Sequence, residues 1–263
     1  MEPAHASPAI QDSRVPERSR RRDLAEIAIA YGLILSVIWT PRPLQHLLWW
    51  AAAAVIALLV ATSFEGCSAA GLRGRNFLRS LWVVAAALAV SAVAVAISAH
   101  LRTLHAPGSA WHFVTSYWAY ALWSGVQQFL LQCFFLSRLL RLLPRPWQAA
   151  LAAAGLFALA HLPNPFLVVL TILWGPLACL LFLRYRNLYP LAIAHAILGI
   201  TIAIAVPGYV DHNMRVGLGY LKYHRGQRRA PQVQRSHSDH RASTVAWVTA
   251  AAPTLRSRIQ ARP

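Results

Sequence analysis

Long apolar runs, separated by short polar or proline-rich breaks, dominate the middle of the chain. Several runs approach the ~20 residues that an α-helix needs to cross a ~30 Å hydrocarbon core. Because lipid offers no hydrogen-bond partners to the backbone, the spanning elements are expected to be helices. The pattern predicts an all-α, polytopic membrane bundle of seven transmembrane helices, with eight as the alternative. The predicted helices cover about residues 25–40, 44–62, 78–99, 118–142, 147–162, 166–184 and 188–206.

Proline-rich breaks separate several of these helices, because proline has no amide donor and displaces the preceding residue from helical geometry. They lie at 41–43, 144–146 and 163–165. Three domains follow from this organisation. Residues 1–24 are predicted to form a disordered basic arm, 25–206 the transmembrane domain, and 207–263 a basic, disordered tail, because both ends are polar and aperiodic.

Composition supports the membrane prediction, since 57% of the residues are hydrophobic and 13% are charged, whereas soluble domains have about a quarter charged. The net charge is +17. Most basic residues lie in the two ends and in short loops, so the expected partner is the lipid bilayer and no nucleic acid. By the positive-inside rule the N-terminus is cytoplasmic, and we expect a bacterial inner (plasma) membrane. Arg138 and Arg141 are interpreted as ordinary inside-facing anchors.

A few polar side chains fall inside the predicted helices, and each is a functional candidate because a polar group in hydrocarbon needs partners. The fourth helix contains three glutamines, of which Gln128 and Gln132 lie one turn apart on one face. His161 ends the fifth helix, and His195 lies within the seventh. We predict that these three helices meet at one pocket. The alternatives are that the glutamines only form interhelical hydrogen bonds and that the histidines have structural roles.

These stretches resemble the motifs of the type II CAAX-prenyl-protease and bacteriocin-immunity family of intramembrane proteins. The family's motifs are Glu-Glu-x-x-x-Arg, then Phe-x-x-x-His, then His-x-x-x-Asn or Asp. The resemblance covers about residues 115–205, where Phe157 to His161 and the run RNLYPLAIAHAI, which ends just beyond His195, match the second and third motifs. It implies a helical membrane endopeptidase that acts on a membrane-proximal or lipid-modified peptide.

Four positions depart from the family pattern. Gln127 and Gln128 stand in place of the paired glutamates, Gln132 in place of the arginine, and Gly199 in place of the final Asn or Asp. In the family, the first glutamate and the second-motif histidine are thought to activate water, while the later His and Asn steady the oxyanion. Glutamine is nearly isosteric with glutamate but cannot accept that proton.

Carried over residue by residue, the resemblance implies a catalytic group of His161, His195, Gln127 and Gln128. Contacts to substrate are assigned to Gln132, Phe157 and Asn164. Between Glu26 and Asp211 the single carboxylate is Glu65, in a predicted loop. General-base catalysis needs a proton acceptor within hydrogen-bond reach of water, so the two histidines are the remaining candidates.

Two functions therefore stay open at the level of sequence. The first is an intramembrane peptidase with an altered site. The second is a non-catalytic protein of the same fold, a pseudoenzyme that binds a peptide, a lipid or a partner helix in an immunity or maturation role. An ion-coupled transporter is disfavoured because intramembrane carboxylates usually carry its proton or sodium.

No cofactor is expected. The alternative is a zinc ion bound by three loop histidines, because three imidazoles can hold zinc with an open fourth position. They are His100, His105 and His112. Charge counting also places His161 at the outer end of its helix, which predicts a pocket that opens outward, whereas eukaryotic relatives work on the cytosolic face.

Overall fold

The computed structural model describes residues 17–229 except 65, 69, 73 and 75, so Glu65, the first part of the arm and the end of the tail lie outside the described residues. Within this part of the chain, every regular element is helical, which confirms the all-α prediction. The α-helices are α1 (Glu17–Trp39), α2 (Leu44–Thr62), α3 (Phe77–Ser80), α4 (Trp82–His100), α5 (Ala110–Phe129), α6 (Ser137–Leu142), α7 (Pro146–Leu159), α8 (Pro165–Tyr185), α9 (Tyr189–Ala205), α10 (Gly208–Asp211) and α11 (Gly217–Arg229).

Three helical stretches among the described residues are long and apolar enough to cross a membrane. They are α2, the combined α3 and α4 stretch Phe77–His100, and α8. A fourth results if α9 is joined to the 208–214 segment, which it meets at a bend of 116°. These apolar helices indicate an integral membrane protein, and the predicted seven or eight spans are not confirmed.

The structure differs from the predicted boundaries at both ends of the bundle. Helix α1 begins at Glu17 rather than near residue 25, because acidic side chains in its early turns pair with arginines of α6. Helices α10 and α11 lie within the predicted tail. The backbone N–H of Gly217 donates to the carbonyl oxygen of Leu162 at 2.8 Å, so this segment is held against the turn after α7 by contacts that local polarity does not reveal.

Helices α7 and α8 pack closely because small residues line their interface. The buried alanines of α7 include Ala149, Ala150, Ala153 and Ala154. A Cβ at Gly175 of α8 would lie 2.9 Å from the Cβ of Ala154, so the two backbones approach as in other small-residue membrane interfaces. This packing fixes the position of the turn that follows α7.

Helices α5 and α6 are joined without a break by a π-helical segment, Leu130–Leu136, so residues 110–142 form one continuous helical rod. Ser109 caps its start by accepting a hydrogen bond from the backbone N–H of His112. Single π turns are frequent at functional sites because they change the direction in which the following side chains point. Helix α9 packs against both α4 and α5, which brings the predicted pocket residues together.

Candidate functional site

The first pair of predicted site residues meets across α5 and α9. Gln128 is fully buried, and its Nε2 atom lies 2.9 Å from Nδ1 of His195. The Nε2 atom of Gln132 donates to Oε1 of Gln128 at 3.3 Å. The prediction that the two glutamines share one helix face is therefore confirmed by a direct hydrogen bond.

This chain of hydrogen bonds orients the His195 ring. With the Gln128 amide nitrogen donating, Nδ1 of His195 accepts, and in a neutral imidazole the proton then sits on Nε2. The free end of the His195 ring is consequently a hydrogen-bond donor. Such a donor is suited to hold a carbonyl oxygen or an oxyanion.

The second histidine is oriented in the opposite sense. His161 lies in the turn after α7, and its Nδ1 is 2.7 Å from the carbonyl oxygen of Phe157. A carbonyl only accepts, so Nδ1 of His161 bears the proton and Nε2 of the neutral ring keeps a lone pair. One imidazole therefore presents a proton donor and the other a proton acceptor.

Phe157 brings the two imidazoles into one group. Its ring centroid lies 4.8 Å from that of His161 and 5.8 Å from that of His195, with edge-on geometry in both pairs. The ring fills the space between α7 and α9 with apolar carbon. Phe157 thus spaces and packs the two histidines, while its predicted contact with substrate stays a prediction.

The two other predicted residues have different surroundings. Gln127 is partly exposed, and its side chain makes no hydrogen bond with a described residue. It stands at the position that matches the first glutamate of the motif described above. Asn164 is fully buried. Its Nδ2 donates to the carbonyl oxygens of Asp211 and Arg215 at 2.7 and 3.1 Å, and its Oδ1 accepts from the backbone of Leu167. Asn164 therefore caps α8 and ties down the 211–215 segment.

Tyr120 of α5 was missed by the sequence reasoning. A Cβ built on Gly199 would lie on the Tyr120 hydroxyl and 2.5 Å from its Cζ. The phenol therefore fills the volume where a side chain at position 199 would start. Gly199 was the available signal, because an invading neighbour is one reason for a glycine in a buried helix.

Trp174 of α8 was also missed. Its ring centroid lies 6.2 Å from that of His195, and its buried Nε1 has no hydrogen-bond partner among the described residues. The buried Oε1 of Gln132 is likewise unpartnered in that part of the chain. A buried unpaired polar atom is costly, so the cluster holds one donor and one acceptor that a ligand could satisfy.

The arginines after the π segment form a second polar cluster. Arg138 is 2% exposed, and its Nε and Nη2 atoms lie 2.8 and 2.6 Å from Oε2 of Glu26. Arg141 makes a two-point contact with Asp23 at 2.9 and 2.7 Å. Arg138 was interpreted as an ordinary inside-facing anchor, whereas its guanidinium is buried against a carboxylate. We call these four side chains the α1–α6 clamp.

The clamp does not supply the missing carboxylate to the histidines. Arg138 follows Gln128 by ten residues, which is about 15 Å of helix. Glu26 is occupied by Arg138 and Arg22. Both acidic side chains of the clamp thus act at the other end of the rod from His161 and His195.

A cavity of about 420 Å³ approaches the site from this same end and touches it at Gln132. Its mouth includes Arg184 and Arg186, which lie at the arginine-rich end of the bundle. Charge counting predicted an outward opening for the pocket at His161, and neither site histidine is among the described residues that line this cavity.

No group of three or more His, Cys, Asp or Glu side chains with metal-binding proximity occurs among the described residues. Nδ1 of His105 lies 2.9 Å from the carbonyl oxygen of Thr103, and Nδ1 of His112 lies 3.0 Å from Oγ of Ser109. His105 and His112 are thus engaged locally. Their use as zinc ligands has no support in this geometry.

A helical bundle that buries a glutamine and histidine cluster between three helices defines a helical membrane protein with a buried polar site. Residues 110–201 match the family model described as Type II CAAX prenyl endopeptidase Rce1-like. The match contains every residue assigned to the site and confirms the resemblance seen in the motifs. No curated protein and no solved structure gives a significant match.

Proposed function

We propose that the protein is an intramembrane peptidase that hydrolyses a peptide bond of a membrane-associated or lipid-modified substrate. The observation that supports this most is the pair of oppositely oriented imidazoles packed on Phe157. One presents a lone pair and the other an N–H. Hydrolysis of an amide needs both a base for water and a donor for the oxyanion.

His161 is the proposed general base. Its Nε2 takes a proton from water as the oxygen attacks the carbonyl carbon, and the resulting imidazolium returns that proton to the leaving amine. The backbone carbonyl of Phe157 holds the ring by its Nδ1–H throughout. In this scheme the carbonyl performs the orienting task that a carboxylate performs in other histidine bases.

His195 is the proposed oxyanion donor. Its Nε2–H is aimed by Gln128, which in turn is held by Gln132. The indole N–H of Trp174 is the second donor beside it, since it is buried and has no partner among the described residues. Gln127 occupies the position of the family's water-activating glutamate and orients water without accepting its proton.

A non-catalytic binding protein is the second candidate, and the glutamine at position 127 favours it. An amide has no basic lone pair of useful strength, and no described carboxylate replaces it near the histidines. The same unpaired donor and acceptor at Trp174 and Gln132 could bind a peptide group without cleaving it. An experiment must therefore separate binding from turnover.

The test uses the full-length protein in liposomes with prenylated and plain fluorogenic peptides. We expect cleavage by the natural protein and loss of about 10²–10⁴-fold in rate for His161→Ala, the typical contribution of a general base. The cleavage rate of His195→Ala should be about 10²–10³-fold lower, because the loss of one oxyanion donor has an effect of that size. His112→Ala is the matched control, because it removes an exposed imidazole from the loop side of α5.

Three outcomes decide between the candidates. Cleavage that survives in both site variants removes the histidine mechanism. Peptide binding without turnover in the natural protein, together with turnover in Gln127→Glu, identifies a binding protein that has lost a base. If the natural protein and these variants show no binding and no turnover, both candidate functions are excluded.

A further inference from the structure

The cavity of about 420 Å³ that touches Gln132 lies between the end of α2, the π segment and the end of α8. Its volume falls in the range of small-molecule pockets. We call it the arginine cavity. Its polar lining includes Ser63, Asn76, Gln132, Arg138, Arg184 and Arg186.

Two of the three guanidinium groups among the described lining residues are available to a ligand. Arg138 is neutralised by Glu26. Arg184 and Arg186 are exposed at the mouth, and neither forms an ion pair with a described carboxylate. No Asp or Glu is among the described residues that line the cavity, and Glu65, between the lining residues Phe64 and Gly66, lies outside the described residues. The mouth therefore attracts an anion, and the planar guanidinium suits a phosphate oxygen pair.

A second requirement comes from the inner wall. Gln132 is 1% exposed, and its Oε1 is a buried acceptor with no partner among the described residues. A ligand that fills the cavity must offer a donor there as well as an anion at the mouth. A phosphodiester with a glycerol head has both groups. An ethanolamine head also has a donor, but its ammonium would face three arginines.

The surface beside the mouth is apolar and exposed. Leu78 is 81% exposed and Trp82 51% exposed at the junction of α3 and α4. The Trp82 indole N–H donates to the Tyr185 hydroxyl at 3.1 Å, and Asn76 Nδ2 donates to the Tyr185 carbonyl oxygen at 3.1 Å. Paired amphipathic rings of this kind are typical of the membrane interface. Acyl chains of a lipid whose head enters the cavity would lie on this surface.

We propose that the arginine cavity is a binding site for an anionic phospholipid with a glycerol headgroup. Arg184 and Arg186 bind the phosphate, as basic pockets between membrane helices do. A glycerol hydroxyl donates to Oε1 of Gln132, and the acyl chains contact Leu78 and Trp82. The proposal goes beyond peptide hydrolysis and does not rest on it.

The test titrates the detergent-purified full-length protein with dioctanoyl phosphatidylglycerol by calorimetry. Each interfacial arginine adds ~1 kcal/mol, or about fivefold in affinity. Arg184→Gln and Arg186→Gln should each weaken binding about fivefold, and the double variant roughly 25-fold. Dioctanoyl phosphatidylcholine and glycerol 3-phosphate should both bind more weakly than phosphatidylglycerol to the natural protein.

Arg42→Gln is the matched control, because Arg42 is an exposed arginine just before α2, a helix of 19 residues and about 28 Å that separates it from Ser63. It should bind phosphatidylglycerol as the natural protein does. Far-ultraviolet circular dichroism checks that each variant keeps its helices. Unchanged binding in the double arginine variant overturns the proposal. Equal binding of phosphatidylcholine also overturns it, and equal binding of glycerol 3-phosphate marks a soluble-anion site instead.

Discussion

Two of the buried polar clusters among the described residues meet the energetic cost of burial in different ways. The α1–α6 clamp pairs two arginines with Glu26 and Asp23 through short charge-assisted contacts. The glutamine and histidine cluster contains amides and imidazoles with no carboxylate. The clamp satisfies its charges internally, whereas the second cluster leaves Oε1 of Gln132 and Nε1 of Trp174 without partners among the described residues.

This difference separates a structural cluster from a candidate site. Buried ion pairs are strongly destabilising when one partner is removed, so the clamp depends on being complete. Neutral hydrogen bonds between membrane helices are individually weak. The second cluster can consequently tolerate polar atoms without hydrogen-bond partners. A site that receives a ligand requires such atoms.

Removal of the clamp carboxylate should give the largest effect. Glu26→Gln leaves the guanidinium of Arg138 buried without a counter-charge, and we expect a loss of about 3–5 kcal/mol in the free energy of unfolding. Denaturant unfolding in detergent micelles measures this change. Arg22→Gln is the control, because Arg22 makes a contact of similar length with the same carboxylate but is 58% exposed. It should cost less than about 1 kcal/mol. Equal losses in the two variants would contradict the view that the clamp is a buried ion pair.

An added methyl group at Gly199 should have the next largest effect. Gly199→Ala forces its Cβ into the Tyr120 phenol, and overpacking of this kind costs about 1–3 kcal/mol. Gly155→Ala is the matched control, since a Cβ at Gly155 meets nothing within 4 Å. That variant should be neutral or gain up to ~1 kcal/mol from helix propensity.

The Tyr120→Leu variant completes a double-mutant cycle for this contact. In the Tyr120→Leu background, Gly199→Ala should lose much less stability, because the phenol that meets the new methyl is absent. A cost that persists at full size in the double variant shows that the strain comes from another neighbour.

The smallest effect is expected within the glutamine and histidine cluster. Gln128→Leu breaks the contact to His195, and interhelical hydrogen bonds in membranes average ~0.6 kcal/mol with a maximum near ~1.7. Gln127→Leu, next to it on α5, should be close to neutral because its amide has no hydrogen bond with a described residue. A loss for Gln128→Leu as large as that for Glu26→Gln would remove the distinction between the clusters.

The hydrophobic pattern of the sequence determines several features of this protein by itself. The all-helical class, the breaks at proline, and the shared helix face of Gln128 and Gln132 follow from residue spacing, because the 3.6-residue period fixes which side chains share a face. The motif order also located the segment that matches the family model.

Tertiary structure alone decided the rest. The buried ion pair of Arg138 could not be predicted from the sequence, because its partner, Glu26, lies 112 residues earlier. The Tyr120 phenol against Gly199, the donor and acceptor orientations of the two imidazoles, and the end at which the arginine cavity opens depend on how separate helices pack. Local spacing fixes what lies along one helix, whereas contacts between helices depend on packing and on a π segment that no residue pattern marked.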